Sequence, residues 1–256
     1  MQNGFITSTD RQIQLLELIA RQQRVSVTEI VEQFSVSEAT ARRDLETLAN
    51  QGKVRRVHGG ALALEASPPE LPLLKRGSME EIEKRRIGQA AAMLVKAGET
   101  IFLGSGTTVL EVARALRDTR GLTIITNSLP VLNTLTGWDC TVICLGGMLR
   151  PSELSFIGHI TEQALAEVRA DKVFIGTRAI SLEHGLTNEY LPETLTDRAI
   201  MRAGGEVIVV ADHTKFGRSA TVMLAPLERI QTIVTDAIHI DFLRALHERG
   251  IQVVEA

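Results

Sequence analysis

The loop Gly104-Ser105-Gly106-Thr107-Thr108 follows the apolar run TIFL and opens a stretch with helical spacing. Glycines let the backbone approach an anion, hydroxyls donate hydrogen bonds, and a helix N-terminus adds partial positive charge. The loop has neither the lysine nor the spacing of a nucleotide-binding P-loop. Polar residues follow three further apolar runs: Asn127-Ser128 after LTIIT, Gly146-Gly147 after TVICL, and Asp212-His213-Thr214-Lys215-Phe216-Gly217 after EVIVV. Lys215 suits a phosphate or carboxylate, and Asp212 suits the role of acceptor for hydroxyl hydrogen bonds. One glycine turn after a strand is ordinary structure. Four polar loops at successive strand ends make a pattern that fits a small anionic ligand.

A second constellation lies near the N-terminus. Arg42, Arg43, Lys53, Arg55 and Arg56 fall within residues 42–58, with His58, against Asp44 and Glu46 alone. Arginine can bind guanine bidentately, and small side chains can meet a thymine methyl. Residues 1–60 carry eight Lys/Arg and seven Asp/Glu, a net of +1. The rest of the chain carries 20 against 24, a net of −4, so the basic patch is local.

These residues need elements to position them. A first helix is expected from Thr9 or Asp10, with Leu15, Leu16 and Ile19 on its apolar face. Ser26 and Glu29 have the spacing of a capping box for a second, short helix whose buried stripe is Val27, Ile30, Val31 and Phe34. Ser37 caps a third helix, EATARRDLETLANQ, closed by Gly52. On it Ala41, Leu45 and Leu48 share one face, Ala39 and Arg43 the opposite one, and Thr40 and Arg42 the flanks. That arrangement suits a recognition helix, whose N-terminal residues meet base edges in the major groove. KVRRV, HGG and ALAL then read as a hairpin, a wing placing Lys53, Arg55, Arg56 and His58 beside the phosphate backbone. The expected DNA contacts are therefore Ser37, Ala39, Thr40, Arg42, Arg43, Lys53, Arg55, Arg56 and His58.

Pro68, Pro69 and Pro72 mark residues 64–78 as a linker. Helical spacing resumes with Ile82, Ile87, Ala90, Ala91 and Leu94. Continuous apolar strands then alternate with helices, the signature of an α/β domain with a mainly parallel sheet. Ligands of such sheets bind beyond the carboxyl ends of the strands, where the polar loops lie. The expected division is 1–63 for DNA binding, 64–78 for the linker, and 79–256 for effector binding and oligomerisation.

Composition agrees with this outline. The 256 residues are 44% hydrophobic and 23% charged, which supports sizeable cores and excludes a predominantly disordered chain. No apolar run reaches the ~18 residues of a membrane span, and no signal peptide is read at the N-terminus. Cys140 and Cys144, four apart on an expected strand, would lie roughly 13 Å apart, too far for a disulfide. They read as small core residues of a reducing cytoplasm.

The run VSVTEIVEQFSVSEATARRDLETLANQGKVRRVHGGA closely resembles the N-terminal signature of the DeoR family of bacterial transcriptional regulators. The resemblance rests on Val36-Ser37, Thr40, Arg42-Arg43-Asp44-Leu45, Gly52, Arg56 and His58-Gly59-Gly60-Ala61. Ala41 stands where the family often has isoleucine. The rest of the chain is similar to the family's sensor domain, through GSGTT, Thr126-Asn127-Ser128, Gly146-Gly147, DHTKFG and VTD ending at Asp236. The resemblance implies a sensor fold similar to ribose-5-phosphate isomerase that binds phosphorylated sugars or related metabolites. The serine/threonine loop would then hold the phosphate, and Lys215 would reach the ligand. The effector site so implied comprises Ser105, Gly106, Thr107, Thr108, Asn127, Ser128, Gly146, Gly147, Asp212 and Lys215.

Three positions depart from the family pattern. Gly104 replaces an aspartate, Thr177-Arg178-Ala179-Ile180 has lost a carboxylate and gained Arg178, and His213 replaces a small hydroxyl residue. Arg178 is either a second anion contact or a surface charge, and the departures together suggest a more anionic effector. A rival reading is an active sugar-phosphate isomerase fused to a DNA-binding module, with Glu189 or Glu193 as its base. The lost acid of the Thr177–Ile180 loop weighs against that, and no catalytic residue, metal or cofactor is expected. The partners expected are double-stranded operator DNA, a phosphorylated sugar or sugar acid, and further copies of the chain in a dimer or tetramer, in the cytoplasm and without a membrane.

Overall fold

The computed structural model describes residues 8–22, 24–50, 54–57, 59–63 and 71–256. The chain divides into two compact units, Met1–Ala66 and Ser67–Ala256.

The N-terminal unit runs α1 (Ser8–Gln22), β1 (Arg24–Ser26), α2 (Val27–Phe34), α3 (Glu38–Asn50), β2 (Val54–Val57) and β3 (Gly60–Ala63). The Ser26 hydroxyl accepts the Glu29 amide at 3.2 Å, and the Glu29 carboxylate accepts the Ser26 amide at 2.6 Å, completing the expected capping box. Ser35, in the left-handed region at φ 52°, ends α2. The Ser37 hydroxyl accepts the Thr40 amide at 3.2 Å and starts α3. Leu15, Leu18, Ile19, Ile30, Ala41, Leu45 and Leu48 form the core between the helices. Asp44 is also buried, taking hydrogen bonds from Arg11 Nε at 2.6 Å and Gln12 Nε2 at 3.1 Å. The acid of the Arg-Arg-Asp run thus fastens α1 to α3, while its arginines face solvent.

The hairpin β2–β3 forms as expected, and a strand the sequence did not signal, β1, adds to it in the order β1-β3-β2. Three residues are too few to show a period. Gly60 permits the pairing, because a Cβ there would meet the Val25 carbonyl oxygen at 2.3 Å. Gly52, Lys53 and His58 lie outside the described residues.

The second unit contains α4 (Leu73–Arg76), α5 (Glu81–Ala92), β4 (Thr100–Leu103), α6 (Thr107–Ala115), β5 (Thr123–Thr126), α7 (Leu129–Thr134) and β6 (Thr141–Cys144). There follow β7 (Met148–Arg150), β8 (Ser155–Ile157), α8 (His159–Ala166), β9 (Ala170–Ile175), β10 (Ala179–Ser181), β11 (Gly185–Asn188), α9 (Leu191–Ala203) and β12 (Gly204–Val210). The chain ends through β13 (Val222–Ala225), β14 (Thr232–Thr235), α10 (Ile240–Glu248) and β15 (Gln252–Glu255). Seven strands pair in parallel in the order β15-β14-β12-β9-β4-β5-β6. Alternate residues feed opposite faces. Ile101 and Leu103 belong to the core shared with α5, α6 and α7, whereas Phe102 belongs to the core that also takes in residues of α9 and α10. A smaller antiparallel sheet, β10-β11-β13, and the hairpin β7–β8 flank the main sheet.

Three details differ from the sequence reading. The described part of the expected linker is folded: α4 is a helical turn whose Leu73 amide binds the Ser152 carbonyl at 2.8 Å, and Leu73 is buried. Ile82, expected on the apolar face, is 70% exposed. Cys144 is exposed rather than in the core, because β6 is the last strand of the sheet and lacks a neighbour on one side.

Candidate nucleic-acid interface and effector cavity

On α3, Ala39, Arg42 and Arg43 are exposed and Thr40 is half-buried, while Ala41, Leu45 and Leu48 are fully covered. Arg42 is held by Glu38 one turn earlier, and the Ser37 and Thr40 hydroxyls lie 2.8 Å apart. Among the described residues, Arg43 has no hydrogen bond or ion pair through its guanidinium. Arg56, exposed on β2, donates to the Gly60 carbonyl at 3.2 Å across the wing. Arg55 occupies β2 beside it. The expected DNA-facing residues that are described therefore fall on one helix and its adjoining wing.

In the second unit the chain runs from β4 outward through β5 and β6, then returns to place β9 on the other side of β4. The connections after β4 and β9 leave in opposite directions, so a crevice opens at the carboxyl ends of these two strands. A cavity of about 530 Å³ lies there. Its walls are Ser105, Gly106, Thr107 and Thr108 after β4, Gly176, Thr177 and Arg178 after β9, and Asp212, Thr214, Lys215 and Arg218 after β12. Leu71, Arg76, Met79 and Glu80 close it from the segment before α5, with Lys84 from α5 itself. Glu153 after β7, Asn188 from β11, and Glu193 and Asp197 from α9 complete it.

The first loop needs its glycine: Gly106 has φ 110°, where a side chain is strained, and it starts α6. Gly104 lies against β9, where a Cβ would meet the Phe174 carbonyl oxygen at 3.3 Å. Asp212 is buried and oriented by Thr214, whose amide it accepts at 3.0 Å. Lys215 Nζ stands 4.0 Å from the Asp212 carboxylate. Lys84 is buried, and burial lowers its ammonium below the usual lysine range, with Asp212 acting in the opposite direction. Arg178 is at the cavity wall, its side chain 9% exposed and 3.4 Å from Glu189. Its amide donates to Asn188 Oδ1 at 3.0 Å, and Asn188 Nδ2 donates to Asp197 at 3.1 Å. Glu193 pairs with Arg150, whose guanidinium lies 4.6 Å over the Tyr190 ring, and accepts the Ser155 hydroxyl at 3.3 Å.

Of the ten effector residues read from the sequence, six meet at this cavity: Ser105, Gly106, Thr107, Thr108, Asp212 and Lys215. Asn127, Ser128, Gly146 and Gly147 are not among its lining. They follow β5 and β6, on the edge side of β4. Asn127 Nδ2 donates to the Phe156 carbonyl, and Ser128 caps α7. Gly147 is required by packing, since a Cβ there would meet the Thr161 hydroxyl at 2.1 Å. The sequence reading missed Arg76, Lys84, Glu153, Asn188 and Asp197, which no local motif marks. Among the described residues, no helix is long and apolar enough to cross a membrane.

A helix with an outward basic face beside a wing, joined to a parallel sheet with a polar cavity at its switch point, defines a DNA-binding regulator with a small-molecule sensor domain. The chain belongs to the DeoR family of transcriptional regulators: residues 11–67 match the DeoR-like helix-turn-helix domain and residues 79–237 the DeoR C-terminal sensor domain. Its relatives include the glycerol-3-phosphate regulon repressor of Escherichia coli strain K12, 38% identical over 90% of this chain and 91% of that one. The transcriptional repressor AccR of Agrobacterium fabrum is 35% identical over 91% of each chain. The putative aga operon transcriptional repressor of Escherichia coli O157:H7 is 32% identical over 96% of this chain and 93% of its own. Among solved structures, ribose 5-phosphate isomerase A from Neisseria gonorrhoeae aligns with 52% of this chain and 52% of its own, at 18% identity and a TM-score of 0.40. No activity follows from that likeness.

Proposed function

We propose that this protein represses a carbohydrate-utilisation operon and leaves its operator when a phosphorylated sugar or sugar acid occupies the cavity. The observation that carries the reading is the meeting of the Ser105–Thr108 loop, at the start of α6, with Lys215 and Asp212 at the switch point. Amides, hydroxyls and an ammonium offset the desolvation of a phosphate, and an acid accepts from sugar hydroxyls. The names of the relatives, a glycerol-3-phosphate regulon repressor among them, support the ligand class. The DNA contacts assigned are Ser37, Ala39, Thr40, Arg42, Arg43, Arg55 and Arg56, with Lys53 and His58 from the sequence. The protein acts in the cytoplasm as a dimer or tetramer, because one winged module buries too little surface for operator specificity.

The two candidate bases read from the sequence, Glu189 and Glu193, are not placed for catalysis. Isomerisation needs a carboxylate free to take a carbon-bound proton. Glu193 is engaged by Arg150 and Ser155, and Glu189 faces Arg178.

Operator binding measured with and without ligand tests the reading. A phosphorylated sugar should weaken DNA binding by about 5- to 150-fold, the range of ordinary allosteric coupling. Its unphosphorylated form at the same concentration should do nothing. Lys215→Ala should bind operator normally and ignore the ligand. Release by the neutral sugar, or full induction of Lys215→Ala, would overturn the assignment.

A further inference from the structure

The cavity is closed on one side by the stretch of chain that enters the sensor domain from the DNA-binding unit. Leu71, Arg76, Met79 and Glu80 all line it. Attachments through Leu73, Arg76 and Lys84 hold this stretch. The Leu73 amide binds the Ser152 carbonyl. The Arg76 guanidinium binds the Leu71 carbonyl at 2.8 Å and pairs with Glu153. Finally, the Lys84 ammonium donates to the carbonyls of Arg76, at 3.0 Å, and of Met79.

The third attachment differs in kind. Lys84 is 5% exposed, yet among the described residues it has no carboxylate within ion-pair distance. Two of its three N–H groups are on carbonyls, and the side chain lies in the cavity wall. Asp212 and Glu80 act on this ammonium only from beyond ion-pair distance, and a buried ammonium without a close counter-ion is the costly arrangement that an anion relieves. The turn it grips is itself strained, because Glu80, the residue before α5, has φ 45° without being glycine.

We propose that Lys84 is the coupling element of the sensor. An anion in the cavity draws the ammonium away from the Arg76 and Met79 carbonyls and frees the turn at 77–80, loosening the stretch that continues to the DNA-binding unit. The inference rests on the cavity's being an anion site and adds how occupancy is transmitted. The ligand acts through its differential affinity for the released state. A neutral sugar has no charge with which to compete for the ammonium.

Hydrogen–deuterium exchange of the full chain, with inorganic phosphate as the probe and sodium chloride at matched ionic strength as control, tests this. Phosphate should slow exchange at residues 105–108 and speed exchange at residues 73–80 by about tenfold, the effect of losing hydrogen bonds in a local opening. In Lys84→Met, exchange at 73–80 should already be fast without phosphate. Protection at 105–108 with no change at 73–80 would overturn the coupling and leave the anion site standing. No change at either stretch would overturn the anion site, and the coupling with it. A Lys84→Met protein as slow as wild type at 73–80 would also refute the latch. The wild-type comparison decides the matter by itself where the variant fails to fold.

Discussion

Three arginines of the DNA-binding unit carry the same charge in different settings. Arg43 projects from the exposed face of α3 and, among the described residues, its guanidinium makes no hydrogen bond or ion pair, which suits the base-edge contact proposed for it. Arg42 is held by Glu38, and Arg56, for which a phosphate contact is proposed, is tethered to the Gly60 carbonyl on the wing. Arg43→Ala should therefore cost about 1–3 kcal/mol on a preferred duplex and relax base preference. Arg56→Ala should weaken all sequences alike and reduce the slope of log affinity against log salt by about 1. Equal, sequence-blind losses in titrations against preferred and scrambled duplexes would contradict the division. In the sensor, His213, in the loop between Asp212 and Lys215, pairs with Asp236 at 2.7 Å. Partial burial lowers the His213 pKa, but the hydrogen bond and charge of Asp236, with Asp212 and Glu80, outweigh it and raise the value above the ordinary one. A raised folded value favours the imidazolium in the native state. The stabilisation is thus fully present below about pH 6.5, the unfolded value, and is lost as pH rises through the folded value. With the side chain half exposed, the pair is worth on the order of 0.5 kcal/mol or less. His213→Gln should lower the urea midpoint slightly at pH 6 and leave it unchanged at pH 9. A pH-independent difference would show that the pair contributes by packing alone.

Helix starts and turns were the most legible elements because their signals are local. The Ser26–Glu29 box, the Ser37 cap and the glycine turn of the wing each need only a few consecutive residues, and each falls where those residues stand. Ser26→Ala should cost the DNA-binding unit about 1 kcal/mol, read as a shift of its unfolding midpoint. β1 was not legible, because its pairing depends on β3, some 35 residues later, passing close enough that Gly60 must lack a side chain. The same long-range demand sets Gly88 in the middle of α5. On propensity alone, alanine would stabilise a helix there by about 1 kcal/mol. The structure opposes this, since a Cβ at Gly88 would meet the Glu111 backbone of α6 at 2.6 Å. Backbone cannot swing aside as a side-chain tip can, and overpacking of this kind costs about 1–3 kcal/mol. Gly88→Ala should therefore destabilise the sensor domain in urea despite its better propensity, and it should displace α6, whose first turn carries Thr107 and Thr108 of the cavity wall. A stabilised variant would show that the two helices have slack between them.

At the scale of the whole molecule, the site was half legible for a reason of topology. Strand ends carrying glycines, hydroxyls and a lysine can be picked out one at a time, but the order of strands in the sheet cannot. The loops after β4 and β12 converge because β9 returns between those strands, whereas the loops after β5 and β6 are carried to the sheet edge. Lys84 of α5, Glu153 after β7, Asn188 of β11 and the acids of α9 join the cavity through packing, which leaves no mark in the local sequence. The division into two compact units has a thermodynamic consequence as well. Each has its own core, so unfolding need not be a single two-state step. A phosphorylated effector at 100 times its Kd should stabilise the sensor transition by about 2.7 kcal/mol, and a duplex selected by the protein from random sequence should stabilise the other. If the units were independent, the two stabilisations would add. A repressor released by its effector cannot behave so, since the conformation favoured by one ligand is disfavoured by the other. With both present, the sum should fall short by the coupling free energy, about 1–3 kcal/mol, and by the same amount whichever ligand is added first. Strict additivity in calorimetry would mean that the cavity, whatever it binds, does not speak to the DNA-binding unit.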